Sequence, residues 1–214
     1  IFSMNSTDSN IPQSIRDKIG RGLHNHANHP IEIIKRKIFT HFLTKNDFKA
    51  FDNLSPIVST RDNFDVLLVP EDHVSRSRSD TYYVTKDTIL RSHMTAHDNQ
   101  LLAAGHRNFV TAGDVYRKDE IDRCHYPVFH QIDGVGEVPD YESPVECLIH
   151  NLIELVQLLF PNCQYRINDD YFPFTHDSKE IEVYHNGEWL EILGGGILHR
   201  QITESYAPNK DFWA

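Results

Sequence analysis

Two long stretches of the chain place apolar residues at helical spacing. The first begins at Pro30, which suits the first turn of a helix, and apolar residues follow every three or four positions: Ile31, Ile34, Ile38 and Phe42. The second runs from Val145 to Phe160 as a broad apolar stripe that stops at Pro161. The pattern predicts amphipathic helices over 30–43 and 145–160. A shorter helix is predicted over 96–104, ended by Gly105.

Shorter runs rich in β-branched and aromatic residues predict strands between these helices. Asn186-Gly187 lies between two alternating runs and indicates a hairpin, because this pair tolerates the positive φ of a tight turn. Helices interleaved with antiparallel strands indicate the α+β class, an antiparallel sheet flanked by helices. The predicted strands and extended segments are 65–69, 80–84, 88–91, 109–116, 128–132, 164–167, 181–184 and 188–193.

Three segments are expected to lie outside this regular framework. Residues 1–22 are polar with few apolar anchors, and they predict a peripheral N-terminal arm with one helical turn near Ile15. Residues 133–144 are rich in glycine, proline and acidic residues, which suits a connection with a shortened insertion. Residues 194–196 are three glycines, which fit either close approach to a ligand or a flexible strand end. Residues 23–214 then form one core.

Composition narrows the range of functions. Lys and Arg number 21 against 31 Asp and Glu, a formal charge of −10, which argues against a general nucleic-acid-coating surface. Cys124, Cys147 and Cys163 have no CxxC spacing, so a reducing compartment is favoured over disulfides or a thiolate zinc site. No apolar run approaches the ~20 residues of a membrane span. The start at Ile1 favours a piece of a longer protein and leaves room for a targeting peptide before it.

The charged loop between the strands 109–116 and 128–132 carries the richest candidate chemistry. Arg117 ends the first strand, and its guanidinium fork matches two phosphate oxygens and neutralises charge that develops in phosphoryl or nucleotidyl transfer. His125 suits a terminal phosphate, and Phe129 offers a flat face to a purine. A solvated hairpin tip with surface ion pairs explains the same charges, so both interpretations stay open.

A second candidate is the segment 23–29, which contains His24, His26 and His29. Neutral imidazoles are good metal ligands. No carboxylate or cysteine completes a ligand set, and His29 precedes Pro30 where a helix is predicted to begin. The sequence therefore favours a segment without a metal ion.

Seven blocks, in order from about His29 to the C-terminus, resemble the catalytic chain of phenylalanyl-tRNA synthetases. The single-chain mitochondrial form is the best match within that family, particularly over 53–56 (NLSP) and 63–65 (NFD). Any one block is weak evidence, but their common order is specific. The blocks are 28–35 (NHPIEIIK), 51–54 (FDNL), 90–93 (LRSH), 113–119 (GDVYRKD), 125–131 (HYPVFHQ), 171–175 (YFPFT) and 188–191 (EWLE).

The resemblance implies the class II aminoacyl-tRNA synthetase catalytic fold. It also implies the activity of a phenylalanine–tRNA ligase, which uses ATP and magnesium to activate phenylalanine as phenylalanyl-adenylate and then transfers it to tRNA(Phe). The implied location is the mitochondrial matrix, with a plastid-like organelle or the cytoplasm as alternatives. If the protein is of the single-chain mitochondrial type, we expect it to be a monomer that does not contact a membrane.

The resemblance further assigns roles to individual residues. Arg117 is the catalytic residue, on the α-phosphate, and Glu191 faces the nucleotide or its magnesium ion. Phe172 and Phe174 pack against the ring of the substrate. The ATP-binding set is Arg117, Asp119, Cys124, His125, Tyr126, Phe129 and Glu191. The phenylalanine-binding set is His93, Thr95, Ala96, His97, Gln131, Asp133, Phe172, Phe174, Gly194, Gly195 and Gly196.

The chain departs from the family pattern in several places. Asp133 stands where glutamate is usual, and Thr95 where serine is common. The glycine-rich third motif with its second ATP-binding arginine, and the anticodon-binding domain of the mitochondrial form, would follow Ala214. We therefore expect these 214 residues alone to be inactive. The alternatives are a class II ligase for another amino acid, which the 172–174 segment disfavours, and a non-catalytic synthetase-like module that binds a ligand or a regulatory partner.

Overall fold

The computed structural model describes residues 8–45, 47–118, 120–122 and 125–214. Its α-helices are α1 (Gln13–Arg16), α2 (Pro30–Leu43), α3 (Thr60–Asn63), α4 (Asp98–Ala103), α5 (Pro144–Leu159) and α6 (Arg200–Thr203). Short 3₁₀ turns cover Leu23–Asn25, Asp65–Leu67, Val74–Arg76 and Met94–His97. The strands are β1 (Lys49–Phe51), β2 (Ile57–Ser59), β3 (Thr88–Leu90), β4 (Phe109–Tyr116), β5 (Val128–Glu137), β6 (Tyr165–Asp169), β7 (Thr175–His185), β8 (Glu188–Leu198) and β9 (Phe212–Trp213).

Seven strands form one sheet in the order β1-β4-β5-β9-β8-β7-β6, and β2 and β3 form a separate pair. Neighbours in the large sheet are antiparallel except β1 and β4, which run parallel. The predicted α+β class is confirmed, with one parallel pair that the sequence did not indicate. No helix in the described part of the chain is long and apolar enough to cross a membrane.

The main core lies between the large sheet and helices α2 and α5. Ile38 and Phe42 from α2 and Leu148 from α5 pack in one cluster with Val110 on β4 and Ile181 on β7. Both helices lie within one residue of their predicted bounds. The sheet therefore buries the α5 stripe and the second half of the α2 stripe, whereas Ile34 in the first half of α2 is half exposed.

The described part of the predicted N-terminal arm, residues 8–22, is anchored to the core, whereas the sequence predicted a peripheral position. Ile11 and Ile15 are buried and pack with Tyr82, Leu90 and Tyr116. The predicted helical turn is present as α1. Two isoleucines thus fix a segment whose composition is otherwise polar, because burying an aliphatic side chain contributes roughly 1.5–3 kcal/mol.

Two predicted elements of the β2–β3 region differ in the structure. Residues 65–69 do not form the predicted strand: Asp65–Leu67 is a 3₁₀ turn, and Leu68 follows it with a left-handed φ of 58°. Leu67 is nevertheless fully buried, which explains the apolar run. Residues 80–84 contribute only an isolated bridge between Tyr83 and Ile89.

Two predictions about the large sheet are also corrected. The connection predicted at 133–144 begins later, because β5 continues to Glu137 by pairing with β4 and then with β9. Residues 194–196 lie inside β8 and do not form its end. Helix α4 starts at Asp98, two residues after the predicted start at 96, with a 3₁₀ turn before it.

One short strand joins the two halves of the large sheet. β9 pairs with Gly136 and Glu137 at the end of β5, and with Ile197 near the end of β8. β5 and β8 face each other over residues 128–135 and 188–195. On these facing sides, neither strand pairs with any strand in the described residues. The two halves of the sheet therefore part with distance from β9.

Glycines make room for this junction. A Cβ on Gly136 would lie 2.3 Å from the Trp213 indole, and a Cβ on Gly195 would lie 2.7 Å from the carbonyl oxygen of Ala214. Gly196 and Ala214 exchange two backbone hydrogen bonds, at 2.8 and 2.9 Å. Gly195 and Gly196 thus allow close approach of the chain's own residues, whereas approach of these glycines to a ligand stays a prediction.

Arg91 is buried against the backbone of β4. Its Nε donates to the Asp114 carbonyl at 2.8 Å, and its Nη1 donates to the Leu54 carbonyl at 3.0 Å and to His97 Nε2 at 2.9 Å. The guanidinium fills the space beside Gly113, where a Cβ would lie 2.0 Å from Nη2. Burial lowers the pKa of Arg91 to about 10, which keeps the group charged at neutral pH.

We expect Gly113→Ala to lower the free energy of unfolding by roughly 1–3 kcal/mol, because the added methyl group overpacks the Arg91 site. Gly134→Ala is the matched control on the neighbouring strand, since its Cβ would meet no atom nearer than 3.4 Å. Urea unfolding of both variants checks the expectation. Equal destabilisation by the two substitutions would contradict it.

Candidate active site

A cleft of about 1000 Å³ opens where β5 and β8 part. Its walls come from segments far apart in the chain: the turn before α4, the β4–β5 hairpin, the loop before β7, and β8. Apolar side chains of α2 and α5 close its other side. Twelve of the predicted site residues line it: His93, Thr95, Arg117, Tyr126, Phe129, Gln131, Asp133, Phe172, Phe174, Glu191, Gly194 and Gly195.

Arg117 and Phe129 form a contact pair at this cleft. Arg117 Nε donates to the Ser92 carbonyl at 2.8 Å, and the guanidinium carbon lies 5.1 Å from the centroid of the Phe129 ring. This separation is within the range of a cation–π interaction. The hairpin register fixes Phe129 opposite Val115 on β4. The pair sets a permanent positive charge beside a flat aromatic ring.

Gln131 and Asp133 follow Phe129 at alternate positions of β5, so the three side chains share one face. Gln131 Oε1 accepts a hydrogen bond from the Met94 backbone N–H at 3.3 Å, and Thr95 Oγ1 donates to Asp133 Oδ1 at 3.3 Å. The other carboxylate oxygen, Asp133 Oδ2, is buried. The carboxyl groups of Asp133 and Asp98 hydrogen-bond to each other when one of them is protonated.

A second buried carboxyl group stands next to Asp133. Asp98 is 1% exposed. Burial, with the neighbouring Asp133, raises the pKa of Asp98 well above its usual range, and burial raises the pKa of Asp133 to about 6. Two such groups share one proton near neutral pH, so the pair carries a single negative charge.

His93 presents a neutral imidazole to the cleft. Its Nε2 hydrogen-bonds to the Asn63 carbonyl oxygen at 3.1 Å, so Nε2 carries the hydrogen. Its Nδ1 is buried without a hydrogen-bond partner in the described residues. Burial, reinforced by the positive charge of Arg117, lowers the pKa of His93 to about 4. The ring therefore offers one acceptor nitrogen at neutral pH.

Phe172 and Phe174 form an aromatic wall. Their ring centroids are 5.9 Å apart with an interplanar angle of 20°, a stacked arrangement. A Cβ on Gly194 would lie 2.8 Å from Phe172 Cζ, so only glycine lets the ring approach β8 this closely. The wall is thus built jointly by the loop before β7 and the middle of β8.

Glu191 lies on the cleft among other acidic groups. Burial raises its pKa, and the charges of Glu180, Asp170 and Glu182 add to the effect, while Arg117 acts in the opposite direction. The repulsion among these carboxylates is the kind that a bound cation relieves.

Four predicted site residues do not line the cleft. Ala96 packs in an apolar cluster with Val58, Phe64 and Ile89, and His97 accepts a hydrogen bond from buried Arg91. His125 is exposed and pairs with Asp122 at 2.8 Å, and Gly196 is bonded to Ala214. The place of a residue in a motif does not show whether its side chain contacts a ligand or supports a neighbouring residue that does. The two remaining predicted residues, Asp119 and Cys124, lie outside the described residues.

Asn63, Ser92 and Asp98 support the site, although sequence reasoning gave none of them a role there. Asn63 is fully buried and exchanges hydrogen bonds of 2.8 and 3.0 Å with Ser92, whose carbonyl holds Arg117. Asn63 does fall in the NFD block of the resemblance, which is a signal of its own. Asp98 had no such signal, because an aspartate that starts a helix is ordinarily explained by the helix dipole.

The fold and the cleft together define the class of protein. A family model described as the tRNA synthetases class II core domain (F) matches residues 14–212. The chain belongs to this family. Pyrrolysyl-tRNA synthetase from Desulfitobacterium hafniense superposes with a TM-score of 0.61 at 14% identity, over 94% of this chain and 74% of that one, which shows a shared fold.

The chain is also similar to curated proteins that are named as phenylalanine–tRNA ligases. The chain is 45% identical to a phenylalanine–tRNA ligase, chloroplastic/mitochondrial, from Arabidopsis thaliana, over 96% of this chain and 51% of the relative. It is 40% identical to the mitochondrial phenylalanine–tRNA ligase from Dictyostelium discoideum, over 97% of this chain and 53% of the relative. The chain spans about half the length of the curated relatives that it matches.

The buried histidines predict how stability depends on pH. Burial lowers the pKa of both His93 and His97 to about 4, against about 6.5 in the unfolded chain. The unfolded state binds more protons between these values, so their contribution is complete above pH ~6.5 and is lost as pH falls toward ~4. Asp133, whose pKa is raised to about 6, acts in the opposite direction over part of this window.

We test this pH dependence by comparing the unfolding free energy of histidine variants with that of the wild type. His97→Gln keeps an acceptor for Arg91 and removes a titrating ring, so we expect its unfolding free energy to fall less between pH 6.5 and 4, by up to about 3 kcal/mol. His185→Gln, at an exposed hairpin end, is the control. Denaturant unfolding across this window measures the slopes. A His97→Gln slope equal to that of the wild type would contradict the assignment.

Proposed function

We propose that the full-length protein containing these residues is a phenylalanine–tRNA ligase. One observation carries the proposal: residues that the resemblance assigned to ATP and phenylalanine line one cleft, although they come from four separate segments of the chain. The printed names of the curated relatives support the same activity. The reaction is activation of phenylalanine by ATP to phenylalanyl-adenylate, followed by transfer to tRNA(Phe).

Arg117 binds the α-phosphate in this proposal and is the catalytic residue. The amino-acid carboxylate attacks that phosphorus, so two anions must approach each other, and a fixed guanidinium lowers the cost of the approach. Phe129, already in contact with Arg117, offers its ring to adenine. Tyr126 lies at the same end of the cleft, while His125 reaches the terminal phosphates only if it leaves Asp122.

The amino acid lies deeper, between β5 and the aromatic wall. The single negative charge of the Asp98–Asp133 pair suits its ammonium group, with Gln131 and Thr95 beside the pair. The wall of Phe172 suits a benzyl ring, each aromatic contact adding roughly 0.5–1.5 kcal/mol beyond burial.

The acidic setting of Glu191 fits a divalent cation. Its carboxylate is raised in pKa by burial and by Glu180, Asp170 and Glu182, and oxygen ligands of this kind suit magnesium. When bound with ATP, magnesium would neutralise phosphate charge and orient the leaving pyrophosphate. Glu191 is then the residue that would hold it, through the nucleotide.

The proposal extends to the cellular setting. The curated relatives are named as mitochondrial or as chloroplastic/mitochondrial ligases, so we place the protein in the mitochondrial matrix, with a plastid-like organelle as the alternative. By the same resemblance we propose a monomer that binds tRNA(Phe) through its anticodon-binding region.

An amino-acid panel separates the proposal from its two rivals. ATP–pyrophosphate exchange by the full-length protein should depend on phenylalanine. Dependence on another amino acid would favour a different class II ligase, and no exchange with any amino acid would favour a non-catalytic synthetase-like module.

We expect Arg117→Ala in the full-length protein to lower kcat/KM for ATP–pyrophosphate exchange on the order of 10²–10³-fold, because a charge-stabilising donor is lost. Lys118→Ala is the matched control: it removes the next cation, whose Nζ donates to the Arg78 carbonyl at 2.9 Å outside the cleft. Both variants should keep the wild-type Tm. Unchanged exchange kinetics in Arg117→Ala would remove this residue from the site.

We expect the polypeptide of these 214 residues to give no exchange above background. Arg117 is the one arginine of the described chain that lines the cleft, and the facing sides of β5 and β8 are unpaired there. Lys35 also lines the cleft, but its ammonium group is held by Asp52 and Asn25. A single arginine on an open cleft is poorly suited to position a triphosphate. Phenylalanine-dependent pyrophosphate exchange by this polypeptide would overturn the expectation.

A further inference from the structure

On the face of β4–β5 opposite Phe129 and Gln131, the fold gathers three metal-binding side chains. Asp114 and His130 stand opposite each other in the register of β4 and β5, and the 3₁₀ turn Leu23–Asn25 brings His24 to them. One ligand atom from each of the three lies within 4.8 Å of the others. The carboxylate that the histidine-rich segment lacks in the sequence is thus supplied by a distant strand.

The separations suit coordination. His24 Nδ1 is 3.3 Å and His130 Nε2 is 2.9 Å from Asp114 Oδ1. Metal–ligand bonds of about 2.0–2.2 Å in a tetrahedral site place ligand atoms roughly 3.3–3.6 Å apart. The His24 separation falls in this range, the His130 separation is slightly short of it, and the two histidine nitrogens lie within 4.8 Å of each other. All three atoms are buried, and none makes a well-oriented hydrogen bond within the described chain.

The tautomer of His24 leaves a lone pair for a cation. Its Nε2 is 3.0 Å from the Asp52 carbonyl oxygen, which only accepts, so Nε2 carries the hydrogen. In the neutral ring, Nδ1 is then an acceptor that faces another acceptor, Asp114 Oδ1. A positive centre between them resolves the conflict, and a histidine that donates its second nitrogen to a backbone carbonyl is the usual arrangement at metal sites.

Hydrogen bonds also orient the carboxylate of Asp114. Asp114 Oδ2 accepts from the Gly22 backbone N–H at 3.3 Å and from the Tyr116 hydroxyl at 3.4 Å, which leaves Oδ1 toward the two histidines. His24 and Asp114 are 6% and 3% exposed, so the donors are held in place by packing. Because His24 and His130 also line the cleft, a fourth position is open to water or another ligand.

We propose that His24, Asp114 and His130 form a binding site for a divalent transition-metal ion of the zinc class. Two imidazole nitrogens and one carboxylate oxygen suit such an ion, whereas magnesium and calcium prefer oxygen ligands alone. The ion fastens the segment before α2 to the hairpin that carries Arg117 and Phe129. Its role is positioning, because Asp114 and His130 lie on the face of β4–β5 opposite Phe129 and Gln131.

Co²⁺ titration of the full-length protein, prepared without a polyhistidine tag, tests the proposal by visible absorption. We expect one Co²⁺ per chain with the bands of a four-coordinate ion, displaced by Zn²⁺. His24→Gln and His130→Gln should each weaken binding tenfold or more. His26→Gln, an exposed histidine on the same segment, should leave it unchanged.

Three results would overturn the site: no bands at saturating Co²⁺, bands that survive both ligand substitutions, or bands lost equally in His26→Gln. The first of these means that a proton alone occupies the space beside His24. X-ray absorption of the Zn²⁺-loaded wild type covers the case in which the variants fail to fold. Two histidine ligands without sulfur are expected, and one or none would refute the proposal.

Discussion

The rest of the structure depends on the way the large sheet is joined at its centre. β9 contributes only Phe212 and Trp213, and it ties β5 to β8 at one end of both strands. Gly136, Gly195 and Gly196 allow the close approach that this junction needs. Away from it the strands separate, and the cleft between them is reached by side chains from both faces of the sheet. A sheet fully paired across β5 and β8 would fill the space in which the candidate site residues meet.

Buried polar groups determine how charge is distributed in that cleft. Arg91 stays charged, and it donates hydrogen bonds to backbone carbonyls and to a neutral His97 that hold it against β4. His93 is held neutral by burial and by Arg117, and the Asp98–Asp133 pair retains one proton. A cationic end at Arg117 and an anionic end at Asp133 are thereby kept apart on one strand pair. Such preorganised charge suits a reaction between an anionic nucleotide and a zwitterionic amino acid.

Much of this was predictable from local pattern. The stripes on α2 and α5 and the Asn186-Gly187 hairpin follow from periodicity and turn chemistry, because those signals lie within one element. The α+β class and twelve cleft residues were also predicted, the latter from the order of motifs. Local pattern did not predict the parallel β1–β4 pair, the burial of Ile11, or the strand character of residues 133–137. Each depends on a partner far away in the chain. Asp98 and the His24–Asp114–His130 cluster were missed for the same reason.

The central claim is that one cleft holds ATP on the β4–β5 hairpin with phenylalanine beside it. A crystal structure of the full-length protein with phenylalanine and a non-hydrolysable ATP analogue tests it most directly. The account predicts the α-phosphate on Arg117, the adenine on Phe129, and the benzyl ring against Phe172 with the ammonium group on Asp133. A nucleotide bound elsewhere, or an aromatic wall closed by the protein's own side chains, would contradict it.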